Sequence, residues 1–162
     1  MQKITPCLWF DDQAEEAAKF YIAVFKNGSI EKISRYGKEG FEIHHKPAGS
    51  VMTVIFELNG QKYMALNGGP DFKFNESVSF IVNCKSQEEV DYFWEKLSAS
   101  GEEGPCGWLK DKYHLSWQIT PTVLEEMLSD PDASKAGRVM TAMLKMKKID
   151  IKTLERAYAG NI

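Results

Sequence analysis

The feature that most constrains this chain is the break Leu66-Asn67-Gly68-Gly69-Pro70, because one order of elements runs up to it and begins again after it. Its glycines permit positive φ and its proline removes a ladder donor, so no strand or helix passes through. Asn-Gly-Gly could also cradle an anion on backbone N–H groups, but no Walker-type Lys-Ser pair follows it. The segment reads as a turn between two halves.

Before the break, Ile4 to Phe10 reads as a strand with Thr5, Cys7 and Trp9 on one face and Ile4, Leu8 and Phe10 on the other. Asp11-Asp12 offers an N-cap, with Glu15 placed for a capping box. Apolar positions at helical spacing then run to Phe25, and Asn27-Gly28 stops them. Ile30 to Tyr36 is a strand and Gly37 to Ser50 a polar loop. Val51 to Leu58 and Gln61 to Asn67 flank the hairpin signal Asn59-Gly60. The first half is β-α-β-β-β.

After the break, Ser77 to Cys84 is a strand, and Ser86 with Glu89 opens a helix through Val90, Phe93, Trp94 and Leu97. Gly107 to Asp111 and His114 to Thr120 form a closing hairpin. A strand within Glu102 to Cys106 would complete a second β-α-β-β-β; without one, the half has lost a strand. A shift of 73 aligns Glu15, Glu16 and Phe20 with Glu88, Glu89 and Phe93, whereas strand parity prefers 72 and sets Thr5 against Ser77. Past Thr120 the pattern turns helical: Val123 to Leu128 capped by Thr122, a break at Asp130-Pro131-Asp132, a helix through Val139 and Leu144, and Ile149 to Ala159. Lys145, Lys147 and Lys148 read as a solvated face.

The expected organisation is one domain made of module 1 (3–70), module 2 (76–121) and a C-terminal helical extension (122–162). A net charge of −3 gives no field to draw in nucleic acid, and no apolar run reaches the roughly 18 residues of a membrane span. The first residues lack a signal peptide's apolar stretch, and three cysteines form no CxxC, so the expected location is cytoplasmic.

Paired modules of this kind curve into an open barrel with a pocket inside. Parity places Thr5, Cys7 and Trp9 there, with Ser77, Ser79 and Ile81, with Ser116, Gln118 and Thr120, and with Tyr63, Ala65 and Asn67 as further candidates. Trp108 extends the aromatic lining, and His114 falls on the side of Gln118 by parity. His44-His45 reads as exposed, and Cys7 and Cys106 as small hydrophobes. Glu57 and Asp111 are possible acid/base groups with no partner legible.

The strings Thr5-Pro6-Cys7-Leu8-Trp9-Phe10-Asp11, Ala65 to Pro70, Cys106 to Lys112, Ser116-Trp117-Gln118 and Met146 to Ile151 resemble the PhnB-like branch of the glyoxalase, bleomycin resistance and dioxygenase (vicinal oxygen chelate) superfamily. The branch is also labelled the 3-demethylubiquinone-9 3-methyltransferase family. The resemblance implies an α+β fold of paired βαβββ modules, a homodimer, and metal-ligand positions at Thr5, Asn67 (or Ala65), Ser77 (Ser79 if the register slips) and Gln118. Gln118 stands where metal-binding members often carry glutamate, so a divalent metal is possible but disfavoured, and no other cofactor is expected. The expectation is a small-molecule ligand bound in the concave pocket. The alternative is a metal-assisted lyase, isomerase or dioxygenase. The early turn Trp9-Phe10-Asp11-Asp12 lacks the glycines of a common S-adenosylmethionine site, so methyltransferase activity is not expected.

Overall fold

The computed structural model describes residues 2–161. They form two compact units that divide between Phe74 and Asn75. The first contains β1 (Cys7–Phe10), α1 (Ala14–Phe25), β2 (Gly28–Arg35), the single turn α2 (Phe41–His44), β3 (Val51–Leu58) and β4 (Gln61–Asn67). The second contains β5 (Ser79–Cys84), α3 (Gln87–Ser98), β6 (Glu102–Glu103), β7 (Trp108–Lys110) and β8 (Ser116–Pro121). It then runs through α4 (Thr122–Leu128), α5 (Ala133–Met143) and α6 (Ile151–Ala159). The duplication is real at the level of topology. The sheets have the orders β1-β4-β3-β2 and β5-β8-β7-β6, and in each the first strand pairs parallel with the last. The short β6 is the strand whose presence was open, so the second module keeps all four.

In the first unit, Ala14, Ala17, Ala18, Tyr21 and Val24 recur at helical spacing and bury the inner face of α1. They cover Leu8, Phe10, Val54, Phe56, Leu58 and Ala65 of the sheet. Tyr21 stacks on Phe56, whose other side meets Tyr63 at 5.4 Å between centroids. The N-terminus of α1 differs from expectation. Asp11 and Asp12 do not cap it, and Gln13 at the cap position makes no side-chain bond. Asn67 Oδ1 instead accepts the Ala14 N–H at 2.8 Å, from the far end of β4. Asn59 and Gly60 both take positive φ, as a tight hairpin with right-handed twist requires.

In the second unit, Val90, Trp94 and Leu97 of α3 cover Val82, Cys84, Leu109, Trp117 and Ile119. Ser86 Oγ accepts the Glu89 N–H, and Glu89 reaches back to the Lys85 N–H, so this start signal works locally. Three residues (Asp11, Asp12, Gln13) separate β1 from α1, but only two (Lys85, Ser86) separate β5 from α3. Strand ends therefore correspond at a shift of 74 (Phe10 to Cys84) and helices at 73 (Ala14 to Gln87). The expected strand shift of 72 fails because Asn75 accepts both the Ser77 N–H and its hydroxyl, which holds Ser77 in a turn ahead of β5. Thr5 therefore corresponds to Ser79.

The extension has its own core of Leu124, Met127, Val139, Ile149 and Leu154. It is fastened to the second sheet by backbone bonds, Cys106 N–H to Met146 O at 2.8 Å and Gly107 N–H to Lys147 O at 2.7 Å. The Gln87 side chain adds two more, to Ile149 O and from the Ile151 N–H. Gly107 is required there: it has φ of 83°, and a Cβ would stand 2.8 Å from Ile119 O.

Candidate functional site

Each sheet has one face under its helix and one face away from it, and only the second is free for chemistry. Paired residues share a face, so the register decides membership. In the first unit Leu8 aligns with Ala65 and Phe10 with Asn67, all buried under α1. The other face carries Cys7 with Met64, Trp9 with Leu66, and Thr53 and Ile55 of β3. The expectation that Tyr63, Ala65 and Asn67 share a face with Cys7 and Trp9 is thus corrected. β4 is apolar on both sides, so its alternation carried no information, and a one-residue difference in register inverts the faces.

Asn67 is 5% exposed and fully engaged: besides capping α1, its amide donates to Val51 O at 3.1 Å, and its backbone carbonyl accepts the Tyr36 hydroxyl. Thr5 is exposed ahead of β1. Cys7 is exposed too, and desolvation pushes its thiol up, away from the reactive thiolate. The Trp9 indole N–H donates to Gly69 O at 2.8 Å, and its ring meets Phe72 edge-on at 4.9 Å. Gly68 makes room for that ring, since a Cβ there would lie 2.2 Å from it. The break thus seats Trp9 as well as turning the chain.

In the second unit one row crosses the sheet on the face away from α3. It runs from Glu102 to Lys110, Ser116 and Ser79, paired strand to strand. The next row holds Trp108, Gln118 and Ile81. Gln118 donates from its amide to Ser79 Oγ at 2.9 Å. Lys110 Nζ lies 2.5 Å from a Glu76 carboxylate oxygen, and this hydrogen bond holds the Glu76 carboxyl below its ordinary range and the Lys110 ammonium above its own. Around these groups is a cavity of about 400 Å³ lined by Glu76, Glu102, Glu103, Trp108, Lys110 and Ser116, among others. Ser116 is 1% exposed, and its hydroxyl makes no hydrogen bond among the described residues. Such a group costs about 1–3 kcal/mol unless something satisfies it.

Sequence reasoning missed Lys110, Glu76 and Glu102. Lys110 was within reach, since it alternates with Trp108 on β7 and so shares its face. His114 does not join them: it is exposed at φ 66°, in a turn where its N–H donates to Asp111 O. Parity stops applying there because β8 begins only at Ser116. Asp111, a candidate acid/base group, is 0% exposed and structural. Its carboxylate accepts the N–H of Tyr113 at 2.8 Å, of Leu115 at 3.1 Å and of the Trp117 indole at 2.8 Å. A larger hollow of about 990 Å³ lies between α5 and α6, where the Arg138 guanidinium is spent on the carbonyls of Ala157 and Tyr158.

The donor set does not fit a divalent metal. Thr5 lies in irregular backbone ahead of β1 and Ser77 in a turn ahead of β5, Asn67 faces the helix, and Gln118 brings no charge and is bonded to Ser79. Among the described residues no three His, Cys, Asp or Glu side chains gather as a metal-holding group. By strand correspondence the first-module counterpart of Gln118 is Met64, a soft thioether suited to neither Mg nor Mn.

Comparison with known proteins agrees with this architecture. Residues 2–120 match the family described as 3-demethylubiquinone-9 3-methyltransferase. The solved structure of a PhnB protein from Bacillus cereus is 36% identical and aligns with a TM-score of 0.64, over 75% of this chain and 100% of that one. Protein PA1353 from Pseudomonas aeruginosa is 18% identical with a TM-score of 0.58, covering 75% of this chain and 98% of its own. The fosfomycin resistance protein FosX from Listeria monocytogenes is 16% identical with a TM-score of 0.55, covering 80% and 98%. At those identities the last two share the fold alone. No curated protein matches the chain. The chain belongs to the PhnB-like family that carries the 3-demethylubiquinone-9 3-methyltransferase label, within the vicinal oxygen chelate superfamily.

Proposed function

We propose that the chain binds a small molecule on the second module, in the cavity over Ser116, without a metal at the superfamily positions. The observation that carries this reading is the buried Ser116 hydroxyl without a partner, on the floor of a cavity walled by an indole, an ammonium and carboxylates. Trp108 supplies a flat apolar wall, while Ser116, Lys110 and Glu102 supply polar groups fixed by neighbouring strands. The family label adds no support for methyl transfer, since the turn after the first strand, Asp11-Asp12-Gln13, carries no glycine. FosX has been crystallised with Mn(II), but the positions carried over to this chain present no charged donor for it.

The test is a thermal-shift screen of small aromatic fragments on the full chain and on Ser116→Ala. Fragments that raise the melting temperature of the parent are expected to lose that effect in the variant, whose own melting temperature is expected to stay close to the parent's. Equal response of the two proteins would overturn the placement.

A further inference from the structure

We infer that the cavity over Ser116 takes a cationic amine with a flat aromatic body, an inference that rests on the binding reading above. The rim holds the carboxylates of Glu76 and Glu102 against the ammonium of Lys110, a formal charge of −1, while Glu103 pairs with Leu109 and turns its carboxylate to the face under α3. Their partners decide what each can do. Glu103 accepts the Trp94 indole N–H at 3.0 Å and is fixed in place. Glu76 lies on Lys110. Glu102, opposite Lys110 in the β6–β7 ladder, is exposed at the mouth.

An anionic ligand would have to displace Glu76 from Lys110 and then lie beside Glu102 as well. A neutral ligand would leave the field unused. An ammonium finds Glu102, whose carboxylate also faces the Lys110 ammonium, and leaves the Glu76–Lys110 hydrogen bond intact. An acidic rim alone would be only a solvated edge; what makes it the mouth of a site is the Ser116 hydroxyl beneath it, buried and without a partner. That hydroxyl fits a polar group at the far end of the ligand, and Trp108 offers an aromatic ring to stack on and a face that attracts a cation.

The experiment titrates the full chain with tyramine, 4-hydroxyphenethyl alcohol and 4-hydroxyphenylacetate, which share a ring and differ in charge. The readout is the Trp108 indole N–H resonance, assigned with Trp108→Phe. Tyramine is expected to bind at least about fivefold more tightly than the alcohol, with the carboxylate weakest. In Glu102→Gln the preference for the amine over the alcohol is expected to fall below about twofold. Binding of the carboxylate as tightly as the amine, or a preference that survives Glu102→Gln, overturns the charge assignment. The cavity reading survives that result if Ser116→Ala weakens all three ligands alike. If none of the three moves the Trp108 resonance, both fall.

Discussion

The two modules share a skeleton and differ in what they leave uncovered. Both have a twelve-residue helix over a four-stranded sheet whose first and last strands run parallel. On the face away from the helix, the first presents Cys7, Trp9, Met64, Leu66 and Ile55, with Trp9 fixed to the Gly69 carbonyl. The second presents Ser79, Ser116, Gln118, Lys110 and Glu102 around one indole. The buried polar anchors differ as well. Asn67 ties β4 to the start of α1 in the first module, and Asp111 ties the β7–β8 turn to Trp117 in the second. Duplicated topology thus preserves the helix-covered core while the other face diverges, largely apolar in the first module and polar in the second.

The largest expected effect that probes this contrast is Asp111→Ala. It strands two backbone N–H groups and the Trp117 indole in a buried place, and should cost about 3–5 kcal/mol in urea unfolding. A loss below about 1 kcal/mol would deny Asp111 its structural role. Asn67→Ala should cost about 2–3 kcal/mol, since it removes the cap of α1 and the bond to Val51 together. Adding a cap locally with Gln13→Ser should recover part of that loss if capping is the cause.

The third contrast lies at corresponding strand ends, where the first module has Phe10 and the second Cys84. Burial, and then the nearby Glu89, push the Cys84 thiol up to about 12 from an ordinary value of 9.0. Between those values the unfolded chain has released a proton that the folded chain keeps. This contribution is therefore complete below pH 9 and declines above it, by roughly 2 kcal/mol near pH 10.5. Cys84→Ala should flatten that alkaline decline, whatever its cost at neutral pH; an unchanged slope would contradict it. The smallest effect is expected of Ser116→Ala without ligand. Removing an unsatisfied hydroxyl should leave stability within about 1 kcal/mol of the parent, or raise it. A large loss would mean that the hydroxyl is already used in folding.

What the sequence made legible follows the range of the interactions involved. β3 and β4 were readable to their last residues because Asn59-Gly60 fixes their hairpin locally, and Ser86 with Glu89 announced α3. The faces of β5 and β8 were also readable, because Ile81, Gln118 and Thr120 alternate cleanly with buried neighbours. The β1–β4 pairing was not, since its partners lie far apart in the chain and β4 is apolar on both sides. Long-range capping by Asn67 and the burial of Asp111 were hidden for a related reason. Each residue type is ordinarily a turn former, and only the assembled sheet shows what it holds.

On the proposed reading, the ligand binds on the second module's face and leaves the first's untouched. Mapping backbone and indole N–H resonances during titration with tyramine tests it most directly. The account predicts shifts clustered at Ser79, Trp108, Lys110, Ser116 and Gln118, with Cys7, Trp9, Met64 and Leu66 still. Shifts centred on Trp9 and Met64, with Trp108 unmoved, would contradict it.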